Sequence, residues 1–139
     1  MREVRFSELE VGQSLPALEF AVTPSVIVAG AMASGDFEVV HHDVPGARAR
    51  GTPDIFMNIL TSNGYVQRFV NDFLGPAAEI RALELRLGVP SYAGDRLRLT
   101  GRVQRKEAEG EGGRVQIEVT GTNSLGQHVL ATVTVVLDR

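Results

Sequence analysis

Residues 34–43 read SGDFEVVHHD and gather most of the chain's acid/base chemistry in one stretch. Asp36 precedes His41 by five residues; His42 and Asp43 follow at once, and the only other histidine is His128. A carboxylate and an imidazole that converge on one water are the equipment of general acid/base catalysis. Fully extended, the five-residue step would hold Asp36 and His41 about 16 Å apart, so they share a site only if the chain turns between them. Gly35 supplies backbone freedom for such a turn. Adjacent histidines in extended chain point to opposite sides, and no third imidazole lies nearby, which argues against a metal site. From the residues alone the plainer reading comes first: Asp36 caps a turn and the histidines are solvated or bonded to backbone. Acid/base function is the sharper alternative.

The elements that would position these residues follow from the surrounding pattern. Thr23-Pro24 before SVIVAGAMA predicts a short capped helix, with Pro24 at its first position and Gly30 and Gly35 limiting it. SGDFEVVHHDVPGARARG shows neither period and reads as an irregular segment, long enough to suggest function. TPDIFMNILTSNGYVQRFVNDFLGP is the longest helical pattern. Ile55/Ile59, Phe56/Leu60, Tyr65/Phe69/Phe73 and Val66/Val70 repeat at four, and Gly75-Pro76 stops it. Apolar residues nearly encircle this helix, so burial on more than one side is expected. Four alternating strands follow, through Ile80–Leu87, Leu97–Val103, Val115–Val119 and His128–Leu137, with turns at 109–113 and 123–126. A further strand near Leu15–Val22 is less distinct. One long helix after a short one, then consecutive strands, predicts an α+β fold whose curved antiparallel sheet wraps a central helix. His128 falls in the last strand and reads as a surface or core-edge residue.

The chain's 139 residues suit one domain, 1–139, and its hydrophobic fraction of 43% is that of a globular chain. A net charge of −3 gives no basic footprint for nucleic acid. Absence of cysteine excludes a disulfide scaffold, a thiolate zinc site and a cysteine nucleophile. No apolar run approaches the roughly 20 residues of a membrane span, and the charged N-terminus has no signal-peptide core, so a soluble cytoplasmic protein is expected.

SGDFEVVHHD resembles the signature of the MaoC-like, type 2 enoyl-CoA hydratases, S-G-D-x-N-P-[LIV]-H-x-D. VPSYAGDRL similarly resembles the family's P-x-x-x-G-D-x-L. HHD, DIFMNIL, VQRFVNDFLGP and LRLGVPSYAGD look, within that family, like the small subunit of a two-subunit bacterial hydratase for steroid side chains. The resemblance implies a hot-dog fold, which the alternation of strands and the central helix predict independently. It implies that Asp36 and His41 are the catalytic pair and that His42 occupies a variable position. Glu38-Val39 replaces the motif's Asn-Pro, and Asn58 replaces a glycine whose backbone N–H polarises the thioester carbonyl. That role for the Asn58 N–H requires the helix to begin late, near Phe56 or Met57, whereas Thr52-Pro53 could cap it earlier.

The expected reaction is hydration of a 2-enoyl-CoA, with coenzyme A arriving as part of the substrate and no separate cofactor or metal. Arg48 and Arg50 are candidates for the coenzyme A phosphates, and Tyr65 for the acyl cavity, although a solvated loop and an ordinary core stripe explain them as well. The resemblance further implies a larger MaoC-like partner subunit with a thiolase-like aldolase docked on it, or otherwise a homodimer. Two alternatives stand beside hydration: a hot-dog thioesterase, for which Asp54 would be the acid, and a non-catalytic partner subunit.

Overall fold

The computed structural model describes residues 3–138. Its elements in chain order are β1 (Ser14–Val22), α1 (Pro24–Ser34), α2 (Val44–Ala49), α3 (Ile59–Leu74), β2 (Glu79–Leu87), β3 (Asp95–Glu109), β4 (Gly112–Asn123) and β5 (Gly126–Leu137), with single 3-10 turns at Phe6–Glu8 and Val39–His41. The five strands form one antiparallel sheet in the order β1-β3-β4-β5-β2. The alternation read from sequence matches the register: Leu97, Leu99 and Val103 of β3, Val115, Ile117 and Val119 of β4, and Val129, Val133 and Val135 of β5 are buried. Register shifts interrupt β1, β2, β3 and β5, and such irregularities add the local twist that lets a sheet curl around a helix.

Helix α3 lies against the concave face. It buries Ser62, Val66, Phe69, Val70 and Leu74, and burial of each large apolar side chain contributes about 1.5–3 kcal/mol. Gly101 makes room for it, because a Cβ there would stand 2.7 Å from Phe69 Cε1. Three sequence expectations need correction. Helix α3 begins at Ile59, later than Phe56 or Met57, and its 16 residues span about 24 Å. Its apolar residues do not encircle it, because Ile55 and Phe56 precede the helix and Ile59 and Leu60 stand half exposed. The segment after Gly35 is not wholly irregular: Asp43 accepts from the Gly46 N–H and caps α2, a helix too short to show a period.

The late start of α3 has a long-range cause. Phe56 N–H donates to Val40 O, Met57 N–H to Ser91 O and Ala93 N–H to Ile55 O, so backbone that could have joined the helix is held extended against two other segments. Asn58 then caps α3, its Oδ1 accepting from Thr61 N–H at 2.8 Å.

Candidate active site

Helix α1 delivers Asp36. Thr23 Oγ1 accepts from Val26 N–H and starts the helix, as its sequence predicts. At the other end Gly35 adopts φ +69°, Gly35 N–H donates to Met32 O and Asp36 N–H donates to Ala31 O. This left-handed closure reverses the chain at once and fixes the Asp36 backbone against the last turn of the helix. The 3-10 turn at Val39–His41 then brings the histidine back. His41 Nε2 lies 3.4 Å from Asp36 Oδ2, where extended chain would have separated the residues by about 16 Å.

The ring of His41 is oriented from both sides. Its Nδ1 lies 2.7 Å from Phe56 O, and the Phe56 ring meets it edge-on with centroids 4.9 Å apart. A carbonyl only accepts, so Nδ1 carries the hydrogen and Nε2 is the basic nitrogen. His41 is 8% exposed, so one edge of the ring reaches the surface. His42 turns away: its Nδ1–H donates to Glu38 O, and the residue is exposed. The two adjacent histidines therefore have different partners, Phe56 O for His41 and Glu38 O for His42.

Asp36 accepts two hydrogen bonds, from Glu38 N–H on Oδ1 (3.2 Å) and from Asn58 Nδ2 on Oδ2 (3.0 Å). Bonding to Asn58, then to the Glu38 amide, together with the nearby His41, holds the carboxyl below its ordinary value, against a smaller opposing effect of burial. Asp36 is thus ionised at neutral pH, and its Oδ2 faces a nitrogen lone pair. Two acceptors at 3.4 Å need a hydrogen between them, supplied by a proton on Nε2 or by a water donating to both.

The side chain of Asn58 is the participant that sequence reading missed. The asparagine cap signal before an apolar run was available at this position, but nothing in sequence announces a contact 22 residues back. Glu38, standing where the motif has asparagine, does not enter the site: its carboxylate is exposed and lies 3.6 Å from Arg50 Nη1. Arg48 Nε donates to Pro53 O. Both arginines are therefore engaged around α2. Asp54 accepts from its neighbour's amide, Ile55 N–H, at 2.8 Å. Tyr65 stacks on Phe20 at 3.9 Å and lines an open groove of about 470 Å³ between α1 and α3, whose walls include Ala33, Ser34, Leu60 and Thr61. Phe69 of the same aromatic stripe is core, 3% exposed.

His128 corrects another expectation, since it is 1% exposed and neither surface nor core edge. Its Nδ1–H donates to Val89 O at 2.7 Å, and Ser62 Oγ–H donates to its Nε2 at 2.8 Å, tying α3 to β5 and to the chain after β2. Burial pushes this imidazole below its ordinary value, partly offset by the Val89 bond, so it stays neutral. Among the described residues, no cluster of three or more acidic or histidine side chains is placed to hold a metal.

The chain is 47% identical over 123 residues to the 3-oxo-4,17-pregnadiene-20-carboxyl-CoA hydratase beta subunit of Mycobacterium tuberculosis, covering 88% of this chain and 92% of that one. It belongs to the MaoC-like hydratase family. The crystal structure of the ChsH1-ChsH2 complex from Mycobacterium tuberculosis superposes with a TM-score of 0.85 at 44% identity, over 92% of this chain and 98% of that one. The unliganded R-hydratase PhaJ1 from Pseudomonas aeruginosa gives 0.86 at 23% identity, over 99% and 87%, which speaks for the hot-dog fold alone. No protein-family model matches the chain. No described helix is long and apolar enough to cross a membrane.

Proposed function

We propose that this chain is the acid/base subunit of an enoyl-CoA hydratase, a hydro-lyase that adds water across the 2,3 double bond of an acyl-CoA, with a steroid side-chain acyl group as substrate. The observation that carries the reading is the 3.4 Å approach of Asp36 Oδ2 and His41 Nε2, with His41 Nδ1–H committed to Phe56 O. A water between them donates one hydrogen to each and turns a lone pair toward the β-carbon. As oxygen bonds to that carbon, the pair takes one proton from the water and one proton is returned to the α-carbon, so the elements of water are added and nothing is oxidised. Such assistance is typically worth about 10²–10⁴ in rate. Charge developing on the thioester oxygen is met at the start of α3 by the Asn58 backbone N–H; an oxyanion donor of this kind contributes roughly 10²–10³. The amides of Ile59 and Leu60 open the same turn and have no acceptor within the helix.

Substrate binding is assigned on proximity and chemistry. The groove beside Tyr65 shares Ser34 and Thr61 with the Asn58 network, which makes it the place for the acyl group. Arg50, which pairs with Glu38, and Arg48 on α2 are assigned to the coenzyme A phosphates. In this reading coenzyme A is part of the substrate, no other cofactor enters the scheme, and the reaction is assigned to the cytoplasm.

A partner completes the assembly. Edge strand β2 keeps Ile80, Leu83 and Leu85 only half-buried and Leu87 is 40% exposed; on β5 Leu130, paired with Arg86, is 38% exposed. An apolar sheet edge of this kind is covered in a working protein. The occupant assigned here is a larger MaoC-like subunit, on which a thiolase-like aldolase docks. Co-purification from the native host with mass measurement tests this, and an isolated, active homodimer would overturn it. The reaction itself is tested with the reconstituted complex by loss of enoyl absorbance against release of free thiol. Asp36→Asn and His41→Ala are expected to abolish the first; full activity of both variants would sink the catalytic assignment, and thiol release would mark a thioesterase.

A further inference from the structure

We propose that the Asn58 carboxamide is the positioning residue of the site, holding Asp36 Oδ2 toward His41; the proposal rests on the hydratase reading above. The amide is 2% exposed and all four of its hydrogen-bonding capacities are used. Its Oδ1 accepts from Thr61 N–H (2.8 Å) and from Thr61 Oγ1 (2.6 Å). Its Nδ2 donates to Asp36 Oδ2 (3.0 Å) and to Ser34 Oγ (2.8 Å). Ser34 Oγ in turn donates to Gly30 O at 2.7 Å, leaving its lone pairs for Asn58.

The direction of this network is forced. A backbone N–H only donates, so the Thr61 amide dictates which end of the Asn58 side chain is oxygen. The NH2 end must then face Asp36. One buried residue therefore caps α3 with its oxygen and clamps the carboxylate, 22 residues earlier, with its nitrogen. The two jobs use different atoms, which makes them separable by substitution. Serine keeps a cap oxygen of equal quality but has no amide to reach Asp36. Aspartate keeps the cap and sets a second carboxylate against the first, reversing an attraction into a repulsion between like charges.

The test uses the hydratase with its partner subunit and an enoyl-CoA that the wild type turns over. Asn58→Ser is expected to lower kcat by about 10- to 100-fold, the worth of a hydrogen bond to a charged group, with KM near wild type and a urea midpoint lowered by the lost Ser34 bond and buried volume. The acidic limb of its pH–kcat/KM profile should move to higher pH. Asn58→Asp should move that limb further and make two carboxyls titrate together. Carbon-13 titration of the Asp36 carboxyl, assigned by its loss in Asp36→Asn, follows the same shift without depending on turnover. Wild-type kcat in Asn58→Ser together with an unmoved Asp36 titration would overturn the proposal. If Asp36→Asn is itself fully active, the hydratase reading fails and the carbon titration alone still decides whether Asn58 holds Asp36.

Discussion

Replacing Gly30 by alanine sets two effects of opposite sign against each other, and the structure says which wins. In an isolated helix the change would help, because glycine in a helix interior costs roughly 0.5–1 kcal/mol relative to alanine. In this fold the added Cβ would stand 2.1 Å from Thr61 Oγ1, 2.8 Å from its Cγ2 and 3.0 Å from its Cβ. Thr61 is β-branched and stiff on its helix, so relief requires the helices to part or the side chain to leave its rotamer. Overpacking of this kind costs about 1–3 kcal/mol. Displacing Thr61 also breaks its hydroxyl bond to Asn58 Oδ1, worth a further ~0.5–1.5 kcal/mol. The expected net effect is a destabilisation of about 0.5–4 kcal/mol, read from urea denaturation at fixed protein concentration, with reduced hydratase activity because Asn58 loses one anchor. Thr61→Ala in the Gly30→Ala background removes both closest atoms and leaves only the contact at 3.0 Å. The double variant should therefore be more stable than the two single changes sum to, by about 0.5–3 kcal/mol. A Gly30→Ala protein as stable as wild type, or more so, would refute the claim that Gly30 is there to let α1 approach α3.

Gly35→Ala meets no atom within 4 Å, so only its φ of +69° is at stake; a loss of about 1–2 kcal/mol is expected, with displacement of Asp36 visible as reduced kcat. Ser62→Ala leaves the Nε2 of buried His128 without a donor and should cost about 1–3 kcal/mol by urea denaturation. The depressed His128 also makes stability pH-dependent. The unfolded chain takes up a proton near pH 6.5 and the folded chain does not, so stability present above that pH falls as the pH is lowered toward the folded value. At pH 5.5 the loss from this one group is at most about 1.4 kcal/mol. The difference between wild type and His128→Leu in urea midpoints at pH 7.5 and 5.5 measures it, and an identical pH slope in both would show that His128 is not the cause.

Much of the fold was written locally. Strand alternation through Leu97–Val103 and Val115–Val119 reports a sheet with one buried face, and Thr23-Pro24 and Gly75-Pro76 mark helix ends through the capping preferences of those residues. The Asp36–His41 spacing and the intervening need for a turn at Gly35 were legible for the same reason: each depends on a few adjacent backbone angles. Helix α2 escaped because six residues are too few for a period. The start of α3 was misplaced because the four-residue spacing runs on through Ile55 and Phe56, while the backbone there is claimed by Val40, Ser91 and Ala93.

What only the tertiary structure decided are the polar contacts between remote segments. His128 reads as an edge residue in its strand, yet Ser62 and Val89 supply the two partners that allow it to be buried. Asn58 reads as a changed glycine, yet its side chain holds Asp36. Sequence determined which groups could do chemistry and where the strands and the two longer helices lie, because those follow from side-chain type and local backbone preference. It could not determine how the Asp36 carboxylate is held or which nitrogen of His41 is basic, because Asn58 and Phe56 O settle those matters only after the chain has folded.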